Sequence, residues 1–201
     1  MARIQGLSQR EQNKRNMRHA ILKAARAKFE HAGIADTTMD EIAVAADVSR
    51  ATLYNYFPSR SDIVAALVER MDDDFIALIY RHCDQPGSTA ERIVALFTAS
   101  ARALEADADV TRRLVGISWQ GWGGDIGVSR ISRLMDAFVR LLGGPHGADD
   151  VRKDVDVRLI AEMLVSVYVG VIHNWYSADA YPLEKRLAAA GRVIAESVLA
   201  R

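Results

Sequence analysis

Residues 37–63 read TTMDEIAVAADVSRATLYNYFPSRSDI, and the fold of the chain is decided in this stretch. Thr38 and Glu41 have the spacing of a capping box, so we expect a short helix to begin there. A second short helix is expected over residues 50–57, with Ser49 as its N-cap. Two short helices separated by a few residues predict a helix-turn-helix, whose second helix enters the major groove of DNA.

The turn between these two helices is Asp47-Val48-Ser49. A tight turn needs a residue that tolerates a positive φ, and Asp is one of the non-glycine residues that do so most readily. We therefore expect Asp47 to adopt this conformation. An ordinary αα-hairpin within a helical bundle has the same spacing, so this simpler interpretation stays open on the residues alone.

Side chains of the second helix suit the major groove, which is about 12 Å wide and admits one helix. Arg50 can bind guanine O6 and N7 or a phosphate, and Ala51 and Thr52 are small enough for close approach. The polar groups of Asn55 and Tyr56 suit phosphate oxygens. The second helix is therefore predicted to contact DNA through these residues.

Charge is unevenly distributed along the chain, although 26 Lys and Arg balance 26 Asp and Glu. Residues 1–60 contain ten basic and six acidic residues, a net charge of +4, and residues 61–201 carry −4. Residues 1–28 alone contain eight basic residues and one acid. A basic N-terminal end favours a polyanionic partner, although a solvated helix face shows the same pattern.

Composition is typical of a soluble globular protein of the cytoplasm. Half of the 201 residues are apolar and 26% are charged, which excludes global disorder. The single cysteine, Cys83, excludes a disulfide framework and indicates a reducing compartment. Residues 1–15 are polar and basic, so no secretory signal is expected. The longest apolar stretch, residues 159–172, is shorter than the roughly 20 residues of a membrane span, so no membrane partner is expected.

Helical periodicity runs through almost the whole chain, and no stretch alternates strictly as a strand does. One apolar ladder steps by four residues and consists of Ile63, Leu67, Met71, Phe75 and Ile79. The predicted fold is all-α, with about nine helices. We expect a helix-turn-helix domain over residues 1–58 and a larger helical domain over residues 59–201, with a helix over residues 59–82 connecting the two.

The N-terminal motifs together resemble the DNA-binding domain of the TetR/AcrR family of bacterial transcriptional regulators. The resemblance covers residues 13–65 and includes a basic first helix, the paired threonines and the T-L-Y-x-Y-F run over residues 52–57. The matching residues are Ala20, Ile21, Leu22, Ala25, Phe29, Gly33, Thr37, Thr38, Ile42, Ala43, Val48, Ser49, Thr52, Leu53, Tyr54, Tyr56, Phe57, Arg60 and Ile63. The resemblance implies a homodimeric repressor whose N-terminal helices bind an operator and whose C-terminal helices bind an effector and dimerise.

Three residues depart from the family pattern. Asp40 stands where the family often has a basic residue that contacts a base, and an acid there repels phosphate, so this contact is not carried over. Asp47 replaces the usual turn glycine, and Arg60 replaces the usual lysine while keeping its charge and phosphate role. Tyr54 is expected to pack beneath the second helix. The expected DNA contacts are Thr38, Ser49, Arg50, Ala51, Thr52, Asn55, Tyr56 and Arg60.

Two C-terminal helices are expected to form a subunit interface. In the helix expected over residues 153–176, residues 155–176 are apolar nearly all round, which is typical of a helix buried on every side. Residues 182–200 include small residues at 188–191, which let another helix approach closely. Two such helices per subunit predict a four-helix dimer interface, and a twofold dimer presents its reading helices about 34–36 Å apart. Burial of these helices against each other within a monomer is the alternative.

An effector pocket between the C-terminal helices is indicated by aromatic residues with a few polar ones, because small-molecule pockets are apolar with a few polar anchors. The candidate lining residues are Phe97, Trp119, Trp122, Phe138, Glu162, Ser166, Tyr168 and His173. For each of them taken singly, a place in the core or in an interface is the simpler interpretation. The effector itself is not identified by these residues, and no cofactor is expected.

Catalytic and metal-binding motifs are absent from the sequence, so neither an enzyme nor a metal site is expected. His82, Cys83 and Asp84 are interpreted as a solvent-facing helix end, because adjacent residues diverge by about 100° on a helix. The acid run over residues 72–74 is interpreted as a solvated face. Two alternatives stay open: a DNA-binding regulator without a small-molecule effector, and a helical enzyme or interaction module that shares the N-terminal domain.

Overall fold

The computed structural model describes residues 8–120, 124–143 and 149–199, with the backbone alone for residues 119, 120 and 124–127. Within these ranges the chain forms nine α-helices and one isolated β-bridge, between Val151 and Leu199. The expected all-α fold with about nine helices is confirmed. The helices are α1 (Gln9–Ala32), α2 (Met39–Ala45), α3 (Arg50–Tyr56), α4 (Arg60–Cys83), α5 (Thr89–Glu105), α6 (Ala108–Gln120), α7 (Gly124–Gly143), α8 (Val157–Ser177) and α9 (Leu183–Val198).

The chain divides into two compact units between Val68 and Glu69, inside α4. We call the unit up to Val68 the head and the unit from Glu69 the body. The sequence analysis placed the domain boundary at residues 58 and 59, just before α4 begins. The compact units divide ten residues later, because the buried Ile63 and Leu67 belong to the head.

Helix α1 begins with a complete capping box and ends at a glycine. The Ser8 backbone N–H and hydroxyl both donate to the Glu11 carboxylate, and Ser8 Oγ accepts the Glu11 N–H. Gly33 follows the last turn with φ 86°, in the left-handed region that favours glycine. The buried residues of α1 recur at helical spacing and are Ile21, Leu22, Ala25 and Phe29.

The core of the head is formed by one or two residues from each short element. Ile42 of α2, Leu53 of α3 and Phe57 just after α3 are all buried. Helix α2 packs against both α1 and α3. The buried Thr37 donates its hydroxyl to the Gly33 carbonyl at 2.7 Å, which fixes the loop between α1 and α2. The head therefore holds α3 in a defined orientation relative to α1 and α2.

In the body, α5 packs extensively against α9, and Gly191 of α9 lies close to α5. A Cβ at Gly191 would lie 3.3 Å from Phe97 Cδ2 and 3.4 Å from Val94 Cα. The small residues of α9 were expected to lie at a subunit interface. This assignment is wrong for Gly191, because the helix that approaches it is α5 of the same protomer.

Helix α8 is long and apolar enough, by length and composition alone, to cross a membrane, and among the described residues no other helix is. Its buried residues include Ile160, Leu164, Tyr168 and Trp175, which belong to the core of the body. There α8 packs against α6, α7 and α9. A helix in the core of a globular unit can have the same composition as a membrane span, and the place of these residues in the core accounts for the apolar character of the buried side of α8.

The interpretation of the acid run over residues 72–74 as a solvated face is confirmed for the exposed Asp73 and Asp74 and is wrong for Asp72. Arg130 of α7 donates Nε and Nη2 to the Asp72 carboxylate at 2.6 and 2.9 Å, and both side chains are only 14% exposed. The next acid, Asp73, pairs with Arg133. The apolar ladder of α4 predicts the face that is buried, but it does not reveal that cations of α7 lie beside that face.

Two residues at the C-terminal end of α4 are buried, which corrects the expectation of a solvent-facing helix end. His82 Nδ1 lies 2.8 Å from the Leu78 carbonyl oxygen, and the Cys83 thiol donates to the Ile79 carbonyl at 3.4 Å. Burial raises the pKa of the Cys83 thiol. Each side chain contacts a carbonyl of its own helix, and this contact helps it to be buried without a polar partner from another helix.

Candidate nucleic-acid interface and effector cluster

The turn between α2 and α3 has the geometry of a helix-turn-helix. Asp47 has φ 54°, so the expected positive φ is confirmed. The N–H groups of Asp47 and Val48 donate to the carbonyls of Val44 and Ala43 at 3.1 and 3.0 Å. These bonds satisfy carbonyls at the end of α2. The chain therefore reverses within four residues and α3 packs against α2.

Helix α3 begins with a side-chain cap, as its sequence predicted. Ser49 Oγ accepts the Thr52 N–H at 3.0 Å, and the two hydroxyl oxygens are 2.8 Å apart. Leu53 is fully buried and holds the inner face of the helix on the core of the head. The outer face consists of the exposed Arg50, Ala51 and Asn55 and the half-buried Thr52 and Tyr56. The structure thus brings the predicted contact residues of α3 together, and their contacts with DNA stay a prediction.

Tyr54 is 38% exposed, so the expectation that it packs beneath α3 is wrong. The buried position on this helix is taken by its neighbour Leu53. The Arg50 guanidinium carbon lies 5.7 Å from the centre of the Tyr54 ring. Residues four apart share a helix face, so Tyr54 supports Arg50 through a cation–π contact on the outer face.

Asp40, in the first turn of α2, reaches Arg50 at the start of α3. Arg50 Nε lies 3.2 Å from Asp40 Oδ1, and both side chains are exposed. The sequence analysis treated Asp40 only as an acid that repels phosphate. It missed the ion pair because ten positions separate the two residues, and their approach depends on how α2 and α3 cross.

Thr38 is the N-cap of α2 in a complete capping box, as the T-x-x-E spacing predicted. Its N–H and its hydroxyl donate to the Glu41 carboxylate, both at 2.7 Å, and Oγ1 accepts the Glu41 N–H at 3.3 Å. These hydrogen bonds hold the pKa of Glu41 below its usual value. The hydroxyl proton of Thr38 is therefore engaged within the protein, and a DNA contact of Thr38 stays a prediction.

Arg60, the first residue of α4, braces the loop between α1 and α2. Its Nη1 donates to the carbonyls of Ala35 and Thr37 at 2.6 and 2.9 Å. The sequence analysis assigned Arg60 to a phosphate, which stays a prediction. It missed the bond to the loop, because the carbonyls lie more than 20 positions earlier in the chain.

Helix α1 adds positive charge to the head. Its exposed residues include Arg10, Lys14 and Arg15. The Arg18 guanidinium carbon lies 4.9 Å from the centre of the Phe57 ring, which connects α1 to the end of α3. Basic side chains near a reading helix supply the phosphate contacts that fix its register on DNA.

Four aromatic rings form a cluster in the body, which we call the effector cluster: Phe75, Phe97, Phe138 and Tyr168. Phe75 stacks on Tyr168 with ring centroids 4.1 Å apart, and Phe97 meets Phe138 edge-on at 6.4 Å. The Tyr168 hydroxyl lies 2.5 Å from Ser100 Oγ in a buried pair. Three of the predicted lining residues are thus neighbours. Phe75 and Ser100 were missed, and the place of Phe75 in the apolar ladder of α4 was the available signal.

The other predicted lining residues do not join this cluster within the described part of the chain. Glu162, Ser166 and His173 lie on the exposed side of α8. The side chains of Trp119 and Trp122 lie outside the described residues. The lining of an effector pocket therefore stays a prediction.

Comparison with known proteins identifies the family of the head. Residues 21–67 match the family described as bacterial regulatory proteins, tetR family. The chain is 26% identical to the nucleoid occlusion factor SlmA of Idiomarina loihiensis, over 84% of this chain and 87% of SlmA. It is 32% identical to the HTH-type transcriptional repressor KstR2 of Mycobacterium tuberculosis, over 44% of each chain. The alignments with SlmA of Haemophilus ducreyi and Vibrio vulnificus span 42% and 53% of those proteins.

Solved structures share the fold along most of the chain. SmeT, the repressor of the Stenotrophomonas maltophilia multidrug efflux pump SmeDEF, has a TM-score of 0.71 at 24% identity, over 91% of this chain and 90% of SmeT. The tetR-family repressor FadR of Thermus thermophilus has a TM-score of 0.66 at 23% identity, over 92% of this chain and 96% of FadR. Residues 21–67 therefore match the tetR family, and the chain shares the fold of these regulators along most of its length.

Proposed function

We propose that this chain is a dimeric, ligand-responsive repressor that binds a palindromic operator in the bacterial cytoplasm. The observation that carries the proposal is the outer face of α3, where Arg50, Ala51 and Asn55 are exposed at the end of a well-defined turn. In a twofold dimer this face occurs twice. Each copy then enters one major groove, and the two half-sites lie about 34–36 Å apart.

The proposed dimer interface contains an exposed stripe on α8. Leu159 and Met163 are large and apolar, and yet they are 49% and 45% exposed. Ser166, Gly170 and His173 continue the stripe, because steps of four, three, four and three residues keep side chains on one helix face. Apolar residues at these spacings, beside small ones that let backbones approach, are typical of helix–helix interfaces.

Two further observations support this interface. Val193 of α9, the helix packed beside α8, is 71% exposed. A Cβ placed at Gly170 meets no described atom within 4 Å, so the packing of the protomer does not require glycine there. In a dimer, a second copy of α8 would approach this position, and a residue as small as glycine lets the two helices come close together. Helices α8 and α9 of two protomers then form a four-helix interface.

The proposed effector is an apolar small molecule that binds at the effector cluster. The rings offer apolar surface, and the buried hydroxyls of Tyr168 and Ser100 offer one polar anchor. SmeT has been solved with triclosan and FadR with lauroyl-CoA. Both ligands carry large apolar groups, which supports the same class of effector for this chain.

Helix α4 is the element through which such a ligand would act, because it contains Phe75 and also continues into the head. A ligand inserted between Phe75 and Tyr168 must separate rings whose centroids are now 4.1 Å apart. It changes DNA binding only if it binds one arrangement of α4 more tightly than another. We propose that the ligand-bound arrangement has the lower affinity for the operator.

Selection from a pool of randomised DNA duplexes tests this function. The purified full-length chain is expected to enrich one palindromic sequence, to bind it as two chains per duplex in light scattering, and to lose affinity steeply with salt. Triclosan or lauroyl-CoA, used as probes, should release the selected duplex. Equal weak binding of all duplexes would contradict sequence-specific repression, and one chain per duplex would contradict the dimer.

A DNA-binding protein without a small-molecule effector is the second candidate. It is favoured by the alignment with SlmA, a nucleoid occlusion factor, which spans 87% of that protein. The two candidates differ in their response to the probes. If neither probe changes the affinity for the selected duplex or the thermal stability of the body, the second candidate is the better one.

A further inference from the structure

Arg50 is held by two other residues of the head. Its Nε pairs with Asp40 Oδ1 at 3.2 Å, and its guanidinium carbon lies 5.7 Å from the centre of the Tyr54 ring. Asp40 belongs to α2, and Tyr54 lies one turn further along α3. An unrestrained arginine samples many rotamers, and fixing it on DNA costs conformational entropy. The two contacts reduce this cost in advance.

The contact through Nε leaves the end of the guanidinium group available to a ligand. Within the described residues, Nη1 and Nη2 of Arg50 make no hydrogen bond. A pair of guanidinium nitrogens is the fork that binds guanine O6 and N7 in the major groove. Arg50 is the first residue of α3, and the N-terminal residues of a reading helix are the ones that contact base edges.

Neither the ion pair with Arg50 nor general DNA affinity gives the head much benefit from an acid at position 40. The ion pair is exposed, with side chains 68% and 59% accessible, and exposed pairs contribute little to folding. The first turn of α2 already contains the acid of its capping box, Glu41. An additional negative charge near the DNA lowers affinity for every sequence, because it repels phosphates. An acid in the first turn of α2 also suits the helix dipole, but this does not require contact with Arg50, and a gain in base selectivity is the benefit that the contact itself offers.

We infer that Asp40 is a specificity-determining residue that positions Arg50 to read a guanine. The carboxylate orients the guanidinium fork and partly offsets its charge, so Arg50 gains less from a phosphate and more from a directional pair of acceptors. Because it requires α3 to be the reading helix, this inference rests on the proposed function. Asp40 then contributes to the choice of DNA sequence and not to the general attraction between the protein and DNA.

The experiment compares binding of two duplexes to the full-length chain. The first is the duplex that the wild-type chain enriches from a randomised pool. Selection with Arg50→Ala identifies the position at which the variant no longer prefers a guanine–cytosine pair. The second duplex has adenine–thymine at that position. The wild-type chain is expected to discriminate between them by about tenfold or more. Asp40→Asn should reduce this ratio to about two- to threefold while it raises the affinity for both duplexes.

Asp36→Asn is the matched control, because it removes the same charge from the exposed loop between α1 and α2. It is expected to raise the affinity for both duplexes and to leave their ratio unchanged. In the Arg50→Ala background, Asp40→Asn should no longer alter the ratio, because a positioning residue has no effect on selectivity without the residue that it positions.

Three results would overturn the inference. One is an unchanged ratio in Asp40→Asn. The second is a lower affinity for both duplexes, which would show that Asp40 serves the fold of the head. The third is a loss of selectivity at a base pair that Arg50→Ala does not affect. A wild-type chain that enriches no sequence would overturn the proposed function as well, so the two failures are distinguishable.

Discussion

Arg130 on α7 holds Asp72 on α4 with two hydrogen bonds, from Nε at 2.6 Å and from Nη2 at 2.9 Å. Its third nitrogen, Nη1, lies 3.4 Å from the Ser118 carbonyl oxygen in α6. One cation therefore connects three helices of the body. Because α4 is also the helix that continues into the head, this ion pair determines where α4 is held within the body.

Asp72→Ala should lower the free energy of unfolding of the body by about 3 kcal/mol, because it leaves Arg130 nearly buried without its acid. All three tryptophans, at positions 119, 122 and 175, belong to the body, so their fluorescence in urea measures its unfolding. The matched control is Asp73→Ala. It removes an exposed ion pair and should cost at most about 1 kcal/mol. Equal losses in the two variants would contradict a role for burial.

The effect of a substitution at Asp47 on the stability of the head should depend on how well the new residue tolerates the φ of 54° at this position. Asp47→Val is expected to cost about 1–2 kcal/mol, because a β-branched residue is strained in this region. Asp47→Gly should be neutral or stabilising, because glycine has no Cβ. Hydrogen exchange of the amides of α2 and α3 measures the effect. The hypothesis fails if the valine and glycine variants protect these amides equally.

Stability of the head should depend on pH through Glu41. The hydrogen bonds from Thr38 hold the pKa of Glu41 below its usual value in the folded state, so the unfolded chain binds more protons between the two values. The stabilisation is therefore present above the usual glutamate pKa and is lost as the pH falls through the folded value. Glu41→Gln should be less stable than wild type in urea at pH 7, and the difference should shrink towards pH 3. NMR titration of the Glu41 carboxyl in wild type and in Thr38→Ala provides the control: the variant loses the hydroxyl donor and keeps the backbone N–H of residue 38, so the shift in pKa should become smaller without vanishing.

Gly170→Arg should disrupt the proposed dimer without damage to the protomer. A Cβ at this position meets no described atom within 4 Å, and replacement of a helical glycine favours the helix by up to about 1 kcal/mol. Light scattering is expected to show a single chain, with weaker binding of the selected duplex. Gly116→Ala is the contrasting variant, because its Cβ would lie 2.5 Å from Tyr176 Cε2 and must displace that ring within the protomer. A Gly170→Arg protein that remains dimeric would place the interface elsewhere.

Features made by residues close together in the sequence were predictable. The T-x-x-E box at Thr38, the cap at Ser49 and the positive φ of Asp47 all occur as expected. Each depends on groups within four positions of one another, so the sequence contains both partners and their spacing. The same reasoning predicted that Leu53 is buried while Arg50 and Asn55 face outward.

Contacts between helices were not predictable in this way. Asp40 and Arg50 are ten positions apart, Arg60 lies more than 20 positions from the loop that it braces, and Arg130 lies 58 positions from Asp72. A long charged side chain can reach partners on several neighbouring elements. Which of them it contacts depends on the crossing of the helices, and helical periodicity does not specify this.

An all-α chain with a helix-turn-helix near its N-terminus was predictable from the order of the residues, because caps, turn residues and apolar spacing are local signals. The packing of the helices was needed to show that Tyr54 faces outward beside Arg50, that Gly191 lies against α5 of its own protomer, and that Asp72 is a largely buried partner of Arg130. The physical reason is that burial and ion pairing are properties of packed helices. They are settled when the faces of different helices meet, at positions that are far apart along the chain.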